Sequence, residues 1–286
     1  MPSADHLTRP GALGIIGYPL DRTASPAIHN TALRLSGIPW SYVALRVAPE
    51  DLRAAIRGFE ATNVIGYNVT YPHKETIQKF LDEITPAAKQ VGAVNTVWQT
   101  RTGWAGDNTD LHGFAAGLKP VSKQIRGASA IIFGAGGAAR AAAYSLVNDF
   151  GINALMIVAR SPKRSADFAR WAERLSPTVA IDVASLSKSA TWRPAWNAAR
   201  LIVNATPVGM NGTVDRLVPS DIRFRRDQVA YDLIYGCSTN FLRRATRSGA
   251  TAISGHTMLW QQAAKSFEIW TGRRFPLKRV QAEVRL

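Results

Sequence analysis

The chain has 286 residues, beyond the size at which single cores usually stop growing, so two domains are expected. Its 46% hydrophobic and 19% charged residues exclude a disordered protein. The 35 Lys and Arg against 20 Asp and Glu give a formal charge of +15; this attracts anions, but the excess is scattered in groups such as Arg223, Arg225 and Arg226, or Arg243, Arg244 and Arg247, so no dedicated nucleic-acid role is expected.

Met1 to Pro10 is polar and lacks the basic, apolar and small-residue order of a secretion leader. From Leu13 onward, short apolar runs alternate with amphipathic stretches, the rhythm of βα units. Strands are expected at Leu13 to Gly17, Ser41 to Val47, Val64 to Thr70 and Val94 to Gln99, and helices at Ser25 to Ser36, Glu50 to Glu60 and Lys74 to Ile84. Ser25 followed by Pro26 reads as a helix N-cap with proline at the first position, and Gly37 as the stop.

After Gly127 come six further strand candidates: Ala128 to Phe133, Leu155 to Ala159, Val179 to Val183, Leu201 to Ala205, Val229 to Ile234 and Thr251 to Ile253. Six is the number in a complete dinucleotide-binding domain. The first of them runs into Gly134-Ala135-Gly136-Gly137-Ala138-Ala139, a G-x-G-x-x-A loop between strand and helix. There the glycines permit a tight turn and close approach of backbone to a diphosphate, and small residues let helix and sheet pack closely.

An acidic residue normally follows about 20 residues on, to hold the ribose of NAD. Here the second strand ends in Ala159-Arg160-Ser161-Pro162-Lys163-Arg164. Arginine at that point suits a 2′-phosphate, so Arg160 and Arg164 favour NADP over NAD, while Lys163 reads as an exposed helical turn. The single cysteine, Cys237, excludes an intramolecular disulfide and a multi-thiolate metal site, and it fits a cytoplasmic compartment. No continuous apolar stretch suggests a membrane span. His73 and His256 have no partners at ligand spacing, so no metal is expected.

Four polar clusters end the strands of the first half: Thr23-Ala24-Ser25-Pro26, Asn68-Val69-Thr70-Tyr71-Pro72-His73-Lys74, Gly92-Ala93-Val94-Asn95-Thr96 and Gly106-Asp107-Asn108-Thr109-Asp110. With Asn204-Ala205-Thr206-Pro207 and Met258-Leu259-Trp260-Gln261-Gln262-Ala263, they resemble, in order, the motifs of the shikimate dehydrogenase family. The resemblance implies an α/β fold: an N-terminal substrate domain over 1–110, a Rossmann-type doubly wound parallel sheet over 111–254, and C-terminal helices over 255–286 that return to the first domain. It implies an oxidoreductase of the shikimate pathway, with a small cyclic polyhydroxy acid as substrate.

The same resemblance assigns roles. Lys74 exchanges the proton of the reacting carbinol and Asp110 pairs with it. Thr23 and Ser25 receive the substrate carboxylate, Tyr235 lies near that carboxylate, and Thr70, Asn95 and Gln262 bind ring hydroxyls. Thr206 and Gly255 join the loop residues in holding the cofactor. At the start of its expected helix, Lys74 would also have its charge disfavoured by the macrodipole and by desolvation. Asn68 and Thr96 read as structural ties, and Asp107 and Asn108 as residues of a turn.

The chain departs from the family at Thr23, usually serine, and at Ser254, usually aspartate. Quinate or aminoshikimate therefore stand beside shikimate as substrates. A non-catalytic ligand-sensing module is a rival of another class, which the presence of both Lys74 and Asp110 argues against. A monomer or homodimer is expected, as no interface signal stands out.

Overall fold

The computed structural model describes residues 7–21, 23–62, 64–176, 178–210 and 217–285. They form two compact units, one made of the chain up to His112 together with Trp260–Leu286, the other of Gly113–Leu259.

The first unit runs β1 (Gly11–Gly17), α1 (Ser25–Leu35), β2 (Trp40–Arg46), α2 (Leu52–Glu60), β3 (Val64–Val69), β4 (Glu83–Ile84), α3 (Pro86–Val91), β5 (Thr96–Gln99), β6 (Trp104–Asp107) and the start of α4 (Asp110–Leu118). Its sheet has the order β2-β1-β3-β5-β6-β4. β1 pairs in parallel with β2 and β3, whereas β5 is antiparallel to both β3 and β6. The antiparallel part arises because β5 and β6 are joined by a tight turn, closed by the Thr100 N–H on the Gly103 carbonyl at 2.7 Å. Ile16, Tyr67, Val69, Val94 and Val97 fill one face of this sheet and are buried against α2 and α3.

The expected helix over Lys74 to Ile84 is not formed. Residues 71–75 are a turn, Thr76–Phe80 is a short 3-10 segment, and Glu83–Ile84 is the edge strand β4. The apolar spacing of Ile77, Phe80 and Leu81 mimics a helix, but pairing with β6 is the stronger demand: the Asp82 N–H donates to the Trp104 carbonyl at 2.9 Å and the Thr85 N–H to Gly106 at 3.0 Å. Ser25 is likewise not the N-cap of α1. Ala24 holds that position and its carbonyl accepts the first helical bond, from Ile28, at 3.1 Å. Gly37 does stop the helix, at φ +63°, with the Ile38 N–H returning to the Leu33 carbonyl at 3.0 Å.

The second unit contains α5 (Ser122–Ile125), β7 (Ser129–Phe133), α6 (Gly137–Asn148), β8 (Ala154–Ala159), α7 (Pro162–Ala172), β9 (Ala180–Ser185), α8 (Ser189–Ala198), β10 (Leu201–Asn204), β11 (Val229–Asp232), α9 (Asn240–Arg247), β12 (Thr251–Ile253) and the first turn of α10 (His256–Thr271). The remainder of α10 and α11 (Leu277–Glu283) belong to the first unit. All pairs in the order β12-β11-β10-β7-β8-β9 are parallel, the arrangement of a Rossmann sheet. The order reverses beside β7, so the loop after β7 is where a ligand is expected. Ala139, Ala141, Ala142 and Ala143 are fully buried, and their small side chains let α6 lie close on the sheet. Among the described residues no helix is long and apolar enough to cross a membrane.

Candidate active site

The first unit brings the polar strand ends together. The Lys74 ammonium donates to Asp110 Oδ2 at 2.6 Å, a charge-assisted bond between side chains that are 19% and 7% exposed. Asn95 Nδ2 donates to the other oxygen, Oδ1, at 2.9 Å. Each carboxylate oxygen thus has a fixed partner, while Nζ uses one of its three donors. The Lys74 carbonyl accepts from the Val94 N–H at 2.8 Å, which ties the lysine backbone to the segment that carries Asn95 into β5. Lys74 opens no α-helix of its own, so the macrodipole expected there is absent, and Asp110 is its charged neighbour.

Asp110 is aimed by the residues before it. The Asn108 N–H donates to Asp107 Oδ1 at 2.8 Å, and the Asp110 N–H donates to Asn108 Oδ1 at 3.1 Å, which closes a turn by a side chain. Asn108 Nδ2 donates to the Ala93 carbonyl at 2.8 Å. The Thr109 N–H and hydroxyl both donate to Asn95 Oδ1, at 2.7 and 3.1 Å. With its oxygen so engaged, the Asn95 amide cannot flip, and it keeps one N–H beyond the one given to Asp110.

Sequence reading missed Ser266. Its hydroxyl lies 2.8 Å from Thr96 Oγ1, 3.1 Å from Thr109 Oγ1 and 3.1 Å from Asn68 Nδ2, and it donates to the Gln262 carbonyl at 3.0 Å. It therefore ties α10, which carries Gln262, to the strand ends that hold Asn95 and Asp110. Its spacing of four from Gln262 on one helix face was the available signal. Asn68 also accepts from the Tyr42 hydroxyl at 2.7 Å and donates to the Asn95 carbonyl at 3.0 Å. Both bonds are structural ties.

At the start of α1, the Ser25 N–H donates to Thr23 Oγ1 at 3.2 Å, and Ser25 is buried. Two hydroxyls and the first-turn N–H groups of an 11-residue helix are thereby grouped. Thr70 is half-buried, one residue past β3. His73, fully enclosed, holds the Val47 carbonyl at 2.8 Å through Nε2 and is a packing residue. Next to this network, His29 is completely buried, stacks on Tyr42 at 4.5 Å, and finds no hydrogen-bond partner for either ring nitrogen. Burial pushes its imidazole down to about 3.

In the second unit the Gly134 backbone has φ +119°, and a Cβ there would stand 2.9 Å from the Ala205 carbonyl oxygen. Only glycine meets both conditions. Gly136 precedes α6 without any side-chain cap, so the first N–H groups of the helix remain for an anion. Arg164 Nη1 lies 3.6 Å from where a Gly136 Cβ would be, which puts a guanidinium beside this loop. Ser161 caps α7 by accepting from the Arg164 N–H at 3.4 Å, and Arg160 is exposed just before it. An uncapped helix start, a glycine cradle and a neighbouring guanidinium fit the diphosphate and phosphate of a dinucleotide.

The Thr206 hydroxyl is occupied by a turn, donating to Asn204 Oδ1 at 2.7 Å and accepting from the Val208 N–H at 3.2 Å. Gly255 has a packing reason to be glycine, since any Cβ would overlap the Leu233 carbonyl. Tyr235 is half-buried three residues after β11.

The shikimate dehydrogenase substrate-binding domain family matches residues 15–97, and the shikimate 5′-dehydrogenase C-terminal domain family matches residues 255–285. The shikimate dehydrogenase (NADP(+)) of Salinibacter ruber is 41% identical over 271 residues, which cover 92% of both chains. Shikimate 5-dehydrogenase from Listeria monocytogenes, solved in complex with shikimate and NAD, is 32% identical with a TM-score of 0.83 and 96% coverage of both chains. Quinate dehydrogenase from Corynebacterium glutamicum, solved in complex with NAD, is 27% identical with a TM-score of 0.85, over 96% of this chain and 98% of that one. Identity at this level over nearly the whole length, on a fold with the same motifs in the same order, means that the chain belongs to the shikimate dehydrogenase family.

Proposed function

We propose that the chain is an NADP(H)-dependent oxidoreductase that interconverts 3-dehydroshikimate and shikimate, or a close analogue. The observation that carries this reading is the Lys74 ammonium held at 2.6 Å on an Asp110 carboxylate that Asn95 also grips. A pure binding module has no need for a poised proton donor, so the ligand-sensing alternative is disfavoured.

Bound nicotinamide supplies and accepts a hydride. In reduction Lys74 gives a proton to the carbonyl oxygen while the carbon gains hydride; in oxidation Lys74 takes the hydroxyl proton while the same carbon loses hydride. Asp110 keeps Nζ in place and balances its charge. Thr23 and Ser25 receive the carboxylate, and Thr70, Gln262 and the remaining Asn95 N–H bind ring hydroxyls. Tyr235 and Gly255 enter these sets on family resemblance alone. Residues 1–110 with 255–286 form the substrate domain, and 111–254 the cofactor domain.

NADP(H) is preferred because Arg160 stands where an acidic residue would hold the ribose of NAD and Arg164 can close the other side of a 2′-phosphate. Arg164 stands beside the glycine loop, and the Salinibacter relative is named for NADP(+). Quinate is the second reading: Thr23 adds a methyl group at the carboxylate end, and a quinate dehydrogenase is among the structural neighbours. We place the enzyme in the cytoplasm on its single cysteine, with no nucleic-acid partner, as a monomer or homodimer.

The test follows absorbance of the reduced cofactor with shikimate, quinate and aminoshikimate, each with NADP+ and NAD+, for wild type and Lys74→Ala. Turnover with shikimate and NADP+ is expected. If no pairing exceeds the Lys74→Ala background, the enzyme reading is wrong.

A further inference from the structure

Gly17 closes β1 between two strands that cannot move away from it. Its carbonyl accepts from the Val47 N–H at 3.0 Å, while the Thr70 N–H donates to the Ile16 carbonyl and the Tyr18 N–H to the Tyr71 carbonyl, both at 2.9 Å. Its φ is not in the left-handed region, so backbone torsion does not require glycine there. Space does. A Cβ at position 17 would overlap the Thr70 methyl and stand 3.1 Å from the Tyr71 carbonyl oxygen.

The Thr70 methyl therefore occupies the room that a side chain at 17 would fill. A threonine carries its methyl and hydroxyl on one carbon in staggered positions, so seating the methyl on Gly17 fixes where the hydroxyl points. We propose that Gly17 is a positioning residue: its missing side chain sets the rotamer of Thr70 and thereby the affinity for the cyclic acid. The proposal rests on the reading of Thr70 as a ligand of that acid. An alanine at 17 would force the methyl out and turn the hydroxyl by one staggered step, about 120°.

Steady-state kinetics with shikimate and NADP+, alongside thermal melts, tests this. Thr70→Val checks the underlying reading; if it leaves the KM for shikimate unchanged, Thr70 is not a ligand and that reading fails by itself. With that KM raised, Gly17→Ala is expected to raise it by about tenfold, the scale of one lost hydrogen bond, while the KM for NADP+ stays unchanged. Adding Thr70→Ser removes the methyl, so the Gly17→Ala/Thr70→Ser double variant should return to the KM of Thr70→Ser alone. A Gly17→Ala enzyme with unchanged KM for shikimate overturns the proposal, as does a double variant no better than Gly17→Ala. Where Gly17→Ala does not fold, a folded double variant supports the methyl clash and an unfolded one refutes it.

Discussion

On the proposed function, Lys74 and Asp110 each serve two masters, the reaction and the fold, and substitutions separate these duties. Lys74→Ala removes the proton donor and leaves the Asp110 carboxylate, 7% exposed, with Asn95 as its side-chain partner. Its kcat is expected to fall by about a hundred- to ten-thousand-fold, with a loss of stability of roughly 1–3 kcal/mol from the half-satisfied carboxylate; initial rates and urea melts report the two effects. His29 governs acid stability. Burial holds the folded imidazole at about 3 against an ordinary 6.5, so the unfolded chain takes up a proton that the native chain refuses. Stability contributed by this site is full above pH 6.5 and falls as pH drops toward 3, at about 1.4 kcal/mol per unit. Urea melts at successive pH values should show this slope in wild type and a flatter one in His29→Leu; equal slopes would refute it. Family resemblance pointed to Lys74 and Asp110, because both stand in runs that match the family's motifs in order. It could not expose His29, whose behaviour depends on the Tyr42 and Trp270 rings that only the fold stacks around it.

The four central strands of the second unit, β7, β8, β10 and β11, were legible because each is an apolar run buried along most of its length and bounded by turn residues, as parallel sheets require. The segment after Lys74 was not, since a 3-10 turn and a two-residue edge strand leave the same apolar spacing as a helix. Ser25 misled for a related reason: a serine before proline suits a cap, and only the Ala24 carbonyl accepting from Ile28 shows that the helix begins one residue earlier. β6 went unread because Trp104–Asp107 is too short to show alternation. The proposed phosphate cradle draws on two elements, the start of α6 and the first turn of α7, so its specificity should be separable from its fold. Arg164→Gln is expected to raise the KM for NADP+ about tenfold or more, the scale of a lost charge-assisted bond, and to leave the KM for NAD+ within a few-fold. Loss of both cofactors alike would mean that Arg164 supports the loop rather than a 2′-phosphate.

The first unit is discontinuous in the chain, and Trp270 shows what its returning segment contributes. The indole N–H donates to the Val97 carbonyl at 2.9 Å across 173 residues of sequence, and its ring fills the space that the absent side chain of Gly66 leaves. Trp270→Phe keeps most of the packing and should cost about 1 kcal/mol, whereas Trp270→Ala leaves a cavity and should cost about 3–5 kcal/mol, read as shifts in urea midpoint. Two domains could be anticipated from length and from the count of strands; that the last helices complete the first unit came from family resemblance, because no local pattern says which core a helix will cover. The discontinuity has a consequence for synthesis. A ribosome makes the chain from its N-terminus, so every residue of the dinucleotide-binding unit has been synthesised before Ser266 and Trp270 exist to finish the older sheet. The nascent protein owns its glycine loop well before it owns a complete frame for Lys74, so on the proposed function the proton-handling site is among the last parts to be finished.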